Sequence, residues 1–121
     1  MADDLRDPLG ASLVRIFDTG ATRGSLDGKL RYTGSLSPRV LKGFAEYMER
    51  HTTRADGTKR EIDDWKKGIP KASYVDSLVR HVVDFWAAFE AGDMKTAEEL
   101  AYAIMFNTQG FLHERGRDKE W

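Results

Sequence analysis

The sequence predicts a mainly α-helical protein, and three segments with helical spacing of apolar residues carry this prediction. Apolar side chains recur every three or four residues over residues 37–51, 73–91 and 94–115, as they do on one face of an α-helix. The chain has 121 residues, a length typical of one domain, and its 40% hydrophobic content is enough for one core. We therefore expect a single domain over residues 1–121, frayed at residues 1–11 and 116–121.

The first predicted helix begins at Ser37, whose hydroxyl can cap the first turn. Pro38 suits the first helical position because its fixed φ matches a helix. The side chains expected to enter the core from this helix are Val40, Leu41, Phe44 and Met48. Upstream, the run at residues 12–17 is too short to distinguish a strand from a helical turn.

The second and third predicted helices are joined by Ala91, Gly92 and Asp93, and so short a connection predicts an antiparallel helix hairpin. Ser73 is the expected N-cap of the second helix, with Asp76 three residues on. The second helix carries a wide apolar stripe formed by Val75, Leu78, Val79, Val82, Phe85, Trp86 and Phe89. The apolar face of the third consists of Leu100, Ala101, Ile104, Met105, Thr108 and Leu112.

Two segments lack helical spacing. Residues 18–34, "DTGATRGSLDGKLRYTG", form a glycine-rich basic stretch, and residues 52–73 form a long charged loop. A loop of that length is uncommon without a functional or ordering reason. We expect Trp65 to fix this loop to the core.

Composition excludes several classes of protein. The chain has no cysteine, so disulfide frameworks and cysteine zinc sites are excluded. A net charge of -1 gives no support for binding to nucleic acid or to a membrane surface. The polar start is unlike a signal peptide, and no apolar run reaches the roughly 20 residues needed to cross a bilayer. We expect a cytoplasmic protein without a membrane segment.

The second helix offers one candidate catalytic group. Asp76, Arg80 and Asp84 are spaced four apart and share a face, with His81 beside them. His81 and Asp84 could position a base with its orienting carboxylate, or hold a metal. The alternative is a ladder of ion pairs on a solvated face.

The third helix offers another group. Glu98 and Glu99 could bind Mg²⁺ through carboxylate oxygens, or serve as acids favoured by the helix dipole. Asn107 interrupts an apolar run, and a buried amide needs partners, so it either reads a base edge or bridges helices. We expect structural roles for His51 and His113.

The glycine-rich stretch matches no standard phosphate-loop pattern, since Leu30 follows Gly28 and Lys29 where such a loop has Ser or Thr. Glycines at positions 20 and 24 nevertheless permit converging amides, and nearby cations could neutralise phosphate. Phosphate binding and a plain connector both remain open at this point.

The segments "FDTGATRGSLDGKLRYTGSLSPRVL", "DDWKKGIP" and "YVDSLVRHVVD", taken in order, resemble a phage and prophage family. It is the family of the N-terminal domain of dATP/dGTP diphosphohydrolases, and the resemblance spans residues 17–114. It implies a small helical protein that cleaves a purine deoxynucleoside triphosphate to monophosphate and pyrophosphate. It also implies Mg²⁺ or Mn²⁺ and a setting in the cytoplasm of an infected bacterial host.

On this resemblance, the expected metal ligands are Asp84, Glu98 and Glu99, and His81 joins them as a catalytic group. The residues expected to contact the nucleotide are Thr19, Gly20, Arg23, Lys29, Arg31, Trp65, Arg80, Tyr102 and Asn107. Two alternatives stay open: a protein that binds a nucleotide or nucleotide signal without cleaving it, and a phage interaction module. The apolar stripe also predicts a homo-oligomer.

Overall fold

The computed structural model describes residues 3–6, 12–25 and 28–119, including the side chains of residues 14–25 and 28–119. The chain forms two compact units, residues 1–36 and residues 37–121. The predicted mainly helical class is confirmed, because three long helices make up most of the second unit. Among the described residues, no helix is both long and apolar enough to cross a membrane.

The N-terminal unit contains a small antiparallel sheet of three strands in the order β1 (Asp3–Arg6), β2 (Ser12–Ile16) and β3 (Thr22–Gly24). Strand β2 is central, and the pairing of Ile16 with Thr22 fixes its register with β3. The short run whose structure the sequence left open is therefore a strand. A helical turn, α1 (Tyr32–Ser35), follows.

The C-terminal unit begins with α2 (Pro38–Arg50). The predicted cap is confirmed, because the Ser37 hydroxyl accepts a hydrogen bond of 3.3 Å from the Val40 amide. The helix buries Phe44 and Tyr47, whereas Leu41 remains exposed. The buried face of α2 is therefore narrower than the predicted apolar face.

The predicted helix hairpin is confirmed by α3 (Lys71–Glu90) and α4 (Met94–Asp118), which pack together. Gly92 turns the chain with a φ of 73°, and the Asp93 carboxylate caps α4 by accepting from the Thr96 amide at 3.1 Å. The predicted Ser73 cap is wrong. Helix α3 begins three residues earlier, after Pro70, and the Ser73 amide donates to the Pro70 carbonyl at 3.0 Å.

The C-terminal end of α4 is longer than the sequence indicated. The helix continues to Asp118, three residues into the segment expected to fray. Lys71, at the start of α3, forms an ion pair with Asp118. The Arg117 guanidinium donates to the Lys66 carbonyl. These contacts extend the helix, while residues 120 and 121 lie outside the described part of the chain.

Helix α3 divides its predicted apolar stripe between two faces. The side that faces the core buries Tyr74 and Ala88 and half-buries Leu78, His81 and Phe85. The remaining members of the stripe are exposed, namely Val75, Val79, Val82, Trp86 and Phe89. The predicted stripe is therefore wider than the part of α3 that packs on the core of this chain.

The core of the C-terminal unit lies between α2 and α4. Phe44, Tyr47 and Ala103 are buried there, and the partly buried Met48, Tyr102, Met105 and Phe106 pack against them. The Phe44 and Tyr47 rings lie 6.3 Å apart at 14°. Gly43 lets the Tyr102 ring approach α2, because a Cβ there would lie 1.9 Å from the Tyr102 hydroxyl oxygen.

The long charged loop is ordered by its own contacts. Asp56 and Gly57 form a turn, in which the Arg54 amide donates to the Thr58 carbonyl at 2.7 Å. A 3₁₀ helix, Asp64–Lys67, follows. It carries Trp65 edge-on against Phe106, with ring centroids 6.0 Å apart. The prediction that Trp65 fixes the loop to the core is confirmed.

The Tyr74 hydroxyl is buried between α3 and α4. The side chain is 2% exposed, and its oxygen has no hydrogen-bond partner among the described residues. Burial, and secondarily the negative charge of Glu114, raises the pKa of Tyr74 above its ordinary 10.0. Burial likewise raises the pKa of Tyr47. The folded chain therefore favours the neutral, protonated form of both tyrosines. Their contribution to the free energy of unfolding is fully present below pH 10.0, and it is lost as the pH rises through the higher folded pKa.

We expect Tyr74→Phe to raise the free energy of unfolding by about 1 kcal/mol at neutral pH, because it removes an unpaired buried hydroxyl. Above pH 10, stability should also fall less steeply than in the unaltered protein. Urea unfolding followed by circular dichroism at both pH values measures the two effects. Tyr32→Phe, at an exposed ring, is the control. A loss of stability in Tyr74→Phe at neutral pH would contradict this account.

Candidate functional site

A cavity of about 300 Å³ opens within the C-terminal unit, between the end of α2, the charged loop and the facing turns of α3 and α4. Three of the sequence-predicted site residues line it, namely Trp65, His81 and Asn107. The loop adds Arg60, Glu61 and Asp64, and α2 adds Tyr47 and His51. Its volume is at the lower end of the range for small-molecule sites, which suits a planar ring with a short substituent.

Aromatic rings give the cavity fixed walls. Trp65 stands edge-on to Phe106 at 84° and lies 4.9 Å from the His113 ring, so its indole is held on two sides. Tyr47 lies 4.2 Å from the His51 ring. Rings fixed in this way offer flat apolar surface to a ligand without first losing side-chain freedom.

Asn107 supplies the buried polar group of the cavity. It is 5% exposed, and its Nδ2 donates to the Ala103 carbonyl at 2.8 Å. Only the nitrogen can donate to a carbonyl, so this bond fixes which way the amide points. The bond leaves the amide oxygen as an acceptor and the second N–H as a donor. That pair matches the edge of adenine, where an amino group donates and a ring nitrogen accepts.

His81 lines the cavity from α3, but its environment differs from that of a catalytic base with an orienting acid. Its Nδ1 is buried and has no hydrogen-bond partner among the described residues. Asp84, the expected orienting carboxylate, is exposed and does not line the cavity. A buried ring nitrogen without a hydrogen-bond partner lowers the stability of the folded chain.

The charged loop brings both signs of charge to the cavity. Arg60 is exposed, so its guanidinium can meet an anionic group in solvent. Asp64 is held ionised by Lys67, whose ammonium lies 3.0 Å away and donates a hydrogen bond that lowers the pKa of Asp64. Because Lys67 pairs with the Asp64 carboxylate, Arg60 is not needed to neutralise it. Arg60 is therefore the cation best placed to bind an anionic group of a ligand.

The three carboxylates predicted as metal ligands do not form one group. Asp84 and Glu98 are exposed, and Glu99 is ion-paired with Arg50 and lies 3.6 Å from His51 Nε2. Within residues 3–6, 12–25 and 28–119, no three His, Asp or Glu side chains converge as a metal would require. The predicted set therefore does not fit a bound Mg²⁺ or Mn²⁺, and we derive no reaction step through one.

Two other predicted contacts have structural partners. Arg80 bonds Asp76 at 2.8 Å and the Ser77 hydroxyl at 3.1 Å, which is one ion pair of the ladder that the sequence left open. Tyr102 packs in the core, with its ring 5.9 Å from that of Tyr47. Neither side chain lines the cavity.

The predicted phosphate-binding residues belong to the N-terminal unit. Gly20 lies in the turn between β2 and β3, where its amide donates to the Phe17 carbonyl at 2.8 Å. The Thr19 hydroxyl accepts from the Ala21 amide at 3.4 Å in the same turn. This end of the glycine-rich stretch is thus a hairpin connection whose amides serve the turn. Arg23, Lys29 and Arg31 are all exposed in the same unit.

Most of the cavity lining was not predicted from the sequence, including Tyr47, His51 and Arg60. Tyr47 follows Phe44 by three positions, a helical spacing that already indicated a shared face. His51 was expected to be structural, and it does form the C-cap of α2, yet it also lines the cavity. Arg60 lies in a loop without periodicity, so no sequence signal indicated its position.

Comparison with known proteins leaves the cavity as the basis for any functional statement. No family model matches the chain, and neither a curated protein nor a solved structure matches it significantly. The candidate site therefore consists of the residues that the fold itself brings together, with Trp65, Asn107 and Arg60 as its aromatic, amide and cationic groups.

Proposed function

We propose that this chain is a purine nucleotide-binding protein and that its cavity in residues 37–121 receives the base. The observation that carries the proposal is the convergence of Trp65, Asn107 and Arg60 on one cavity of about 300 Å³. A purine nucleotide has a base with a flat face and a polar edge, and a linked anionic phosphate. Each of the three side chains suits one of these features.

The base would lie against the indole of Trp65, since base–aromatic stacking contributes about 1–3 kcal/mol. Asn107 would pair with the amino group and the adjacent ring nitrogen of adenine. Its contribution depends on the bond to the Ala103 carbonyl, which holds the amide in place. Arg60 would meet the phosphates at the solvent-exposed side of the cavity.

Titration calorimetry with dATP, dGTP, dCTP and dTTP tests this function. We expect purine nucleotides to bind more tightly than pyrimidine nucleotides. Asn107→Ala should weaken the binding of dATP about tenfold or more and that of dGTP less, since the bidentate amide contact is made to adenine and contributes about 1–3 kcal/mol of discrimination. Arg60→Ala should weaken all four ligands together.

Arg39→Ala is the matched control, because Arg39 is an exposed arginine of the same unit that does not line the cavity. It should bind every nucleotide as the unaltered protein does. Equal binding of purines and pyrimidines, or equal losses in Arg60→Ala and Arg39→Ala, would contradict the proposal.

The second candidate is cleavage of dATP or dGTP to the monophosphate and pyrophosphate, as the family resemblance implies. It is favoured by the carboxylates of Glu61 and Asp64, which line the same cavity. We propose Mg²⁺ or Mn²⁺ as the cofactor of that activity. Pyrophosphate release, measured with each metal and after its removal with a chelator, tests it. Recovery of unchanged nucleotide with either metal present would rule out cleavage and leave nucleotide binding as the only proposed function.

We further propose that the protein acts as a homo-oligomer in the cytoplasm of an infected bacterial host. The exposed apolar side of α3 supports the oligomer. The family resemblance alone supports the phage setting.

A further inference from the structure

The outer face of α3 carries an uninterrupted apolar row. Its members follow a spacing of three and four residues in strict alternation, the pattern of a two-helix seam. All of them are exposed, with Trp86 at 64% and Phe89 at 59%. The row, called here the α3 seam, consists of Ala72, Val75, Val79, Val82, Trp86 and Phe89.

The α3 seam has the dimensions of an interface. A helix of 20 residues is about 30 Å long, and the seam covers nearly its full length. Its side chains expose on the order of 600 Å² per copy, with the aromatic pair contributing most. That is close to the roughly 800 Å² per partner of a standard specific interface, and flanking residues of the same helix can supply the rest.

We propose that the α3 seam pairs with the same seam of a second copy of this chain, with the two α3 helices antiparallel. In that orientation one register matches every layer of the seam. Ala72 meets Phe89 of the second copy, Val75 meets Trp86, and Val79 meets Val82. A small side chain faces a large one at both ends, and two equal ones face each other in the centre.

Complementary volumes distinguish this orientation from a parallel pair. A parallel pair in register would place Trp86 against Trp86 and Ala72 against Ala72, which crowds one end and leaves a gap at the other. Interfaces and cores pack best when large and small side chains alternate across facing positions. Two antiparallel helices also bring opposite ends of their dipoles together.

Few like charges face each other along the edges of the proposed pair. Asp76 of one copy would approach Glu90 of the other, which disfavours pairing. Each acid already has a partner in its own helix: Asp76 bonds Arg80 at 2.8 Å, and Glu90 accepts from the Trp86 indole at 3.1 Å. The apolar layers therefore decide the association.

Sedimentation of the full chain tests the proposal. We expect a dimer at concentrations on the order of 50 µM. Val79→Lys and Val82→Glu, each alone, should raise the dissociation constant at least about a hundredfold, since each buries an unpaired charge in both central layers. The helical content of both variants should be unchanged, because Val79 and Val82 are exposed in the single chain.

A mixture of the two variants identifies the orientation. In the antiparallel register, Lys at position 79 of one chain meets Glu at position 82 of the other, so the mixture should form a heterodimer. A parallel pair would leave both charges without partners. Since the chain has no cysteine, Ala72→Cys mixed with Phe89→Cys should also form a disulfide between chains, which neither variant forms alone.

A monomer at all concentrations would overturn the proposal. Variants that dimerise as well as the unaltered chain, or a mixture that stays monomeric, would overturn it equally.

Discussion

Gly110→Ala is expected to lower the free energy of unfolding by about 2 kcal/mol. A Cβ at position 110 would lie 2.2 Å from Cε1 and 2.3 Å from Cζ of the Tyr74 ring. That ring is 2% exposed and cannot move aside, so we place overpacking at about 3 kcal/mol, the upper end of its usual range. The better helix propensity of alanine returns about 1 kcal/mol. Chemical unfolding followed at 222 nm measures the difference.

Gly43→Ala is the matched control for this expectation. The atom that its Cβ would meet first is the Tyr102 hydroxyl, the outer end of a half-buried side chain that can swing towards solvent. We expect a loss within about 1 kcal/mol, since displacement there is cheaper. A Gly110→Ala protein as stable as the unaltered one would show that α3 and α4 do not pack as closely as described.

Trp65→Ala is expected to lower the free energy of unfolding by about 2–3 kcal/mol, somewhat less than for a fully buried tryptophan. The change removes the edge-on contacts of the indole with Phe106 and His113, which hold the charged loop on α4. It also removes one wall of the cavity, so nucleotide binding should be lost with it. Urea unfolding and calorimetry measure the two losses.

Trp86→Ala is the matched control, since it removes the same side chain from an exposed position of the same unit. At low protein concentration, where the monomer predominates, its free energy of unfolding should change by no more than about 0.5 kcal/mol. Nucleotide binding should be retained. Equal destabilisation by the two substitutions would contradict the packing described for the loop.

The sequence predicted the helices well because their signals are local. Ser37 and Pro38 fix the start of α2, and the short connection at residues 91–93 fixes the helix hairpin. The start of α3 was misplaced because Pro70 could act as the boundary without a side-chain cap, and Ser73 was the more familiar signal. Periodicity also cannot distinguish a helix face in the core from an exposed one, so the predicted stripe of the second helix combined both.

The site was harder to predict, since it depends on contacts between distant segments. Trp65 and Asn107 were identified because each stands out in its own segment, the one in a charged loop and the other in an apolar helix. Arg60 has no such signal. The acids at positions 84, 98 and 99 had the right chemistry for a metal, but helix packing directs them to solvent or to Arg50.

The central claim, that a purine binds in the cavity of residues 37–121, is tested most directly by a nuclear magnetic resonance titration with dATP. The signals to follow are the backbone amides, the indole N–H of each tryptophan and the side-chain amide of Asn107. We expect the Trp65 and Asn107 signals to shift with saturation, while that of Trp86 stays unchanged. Saturable shifts confined to Arg23, Lys29 and their neighbours, or no shift at millimolar dATP, would contradict the claim.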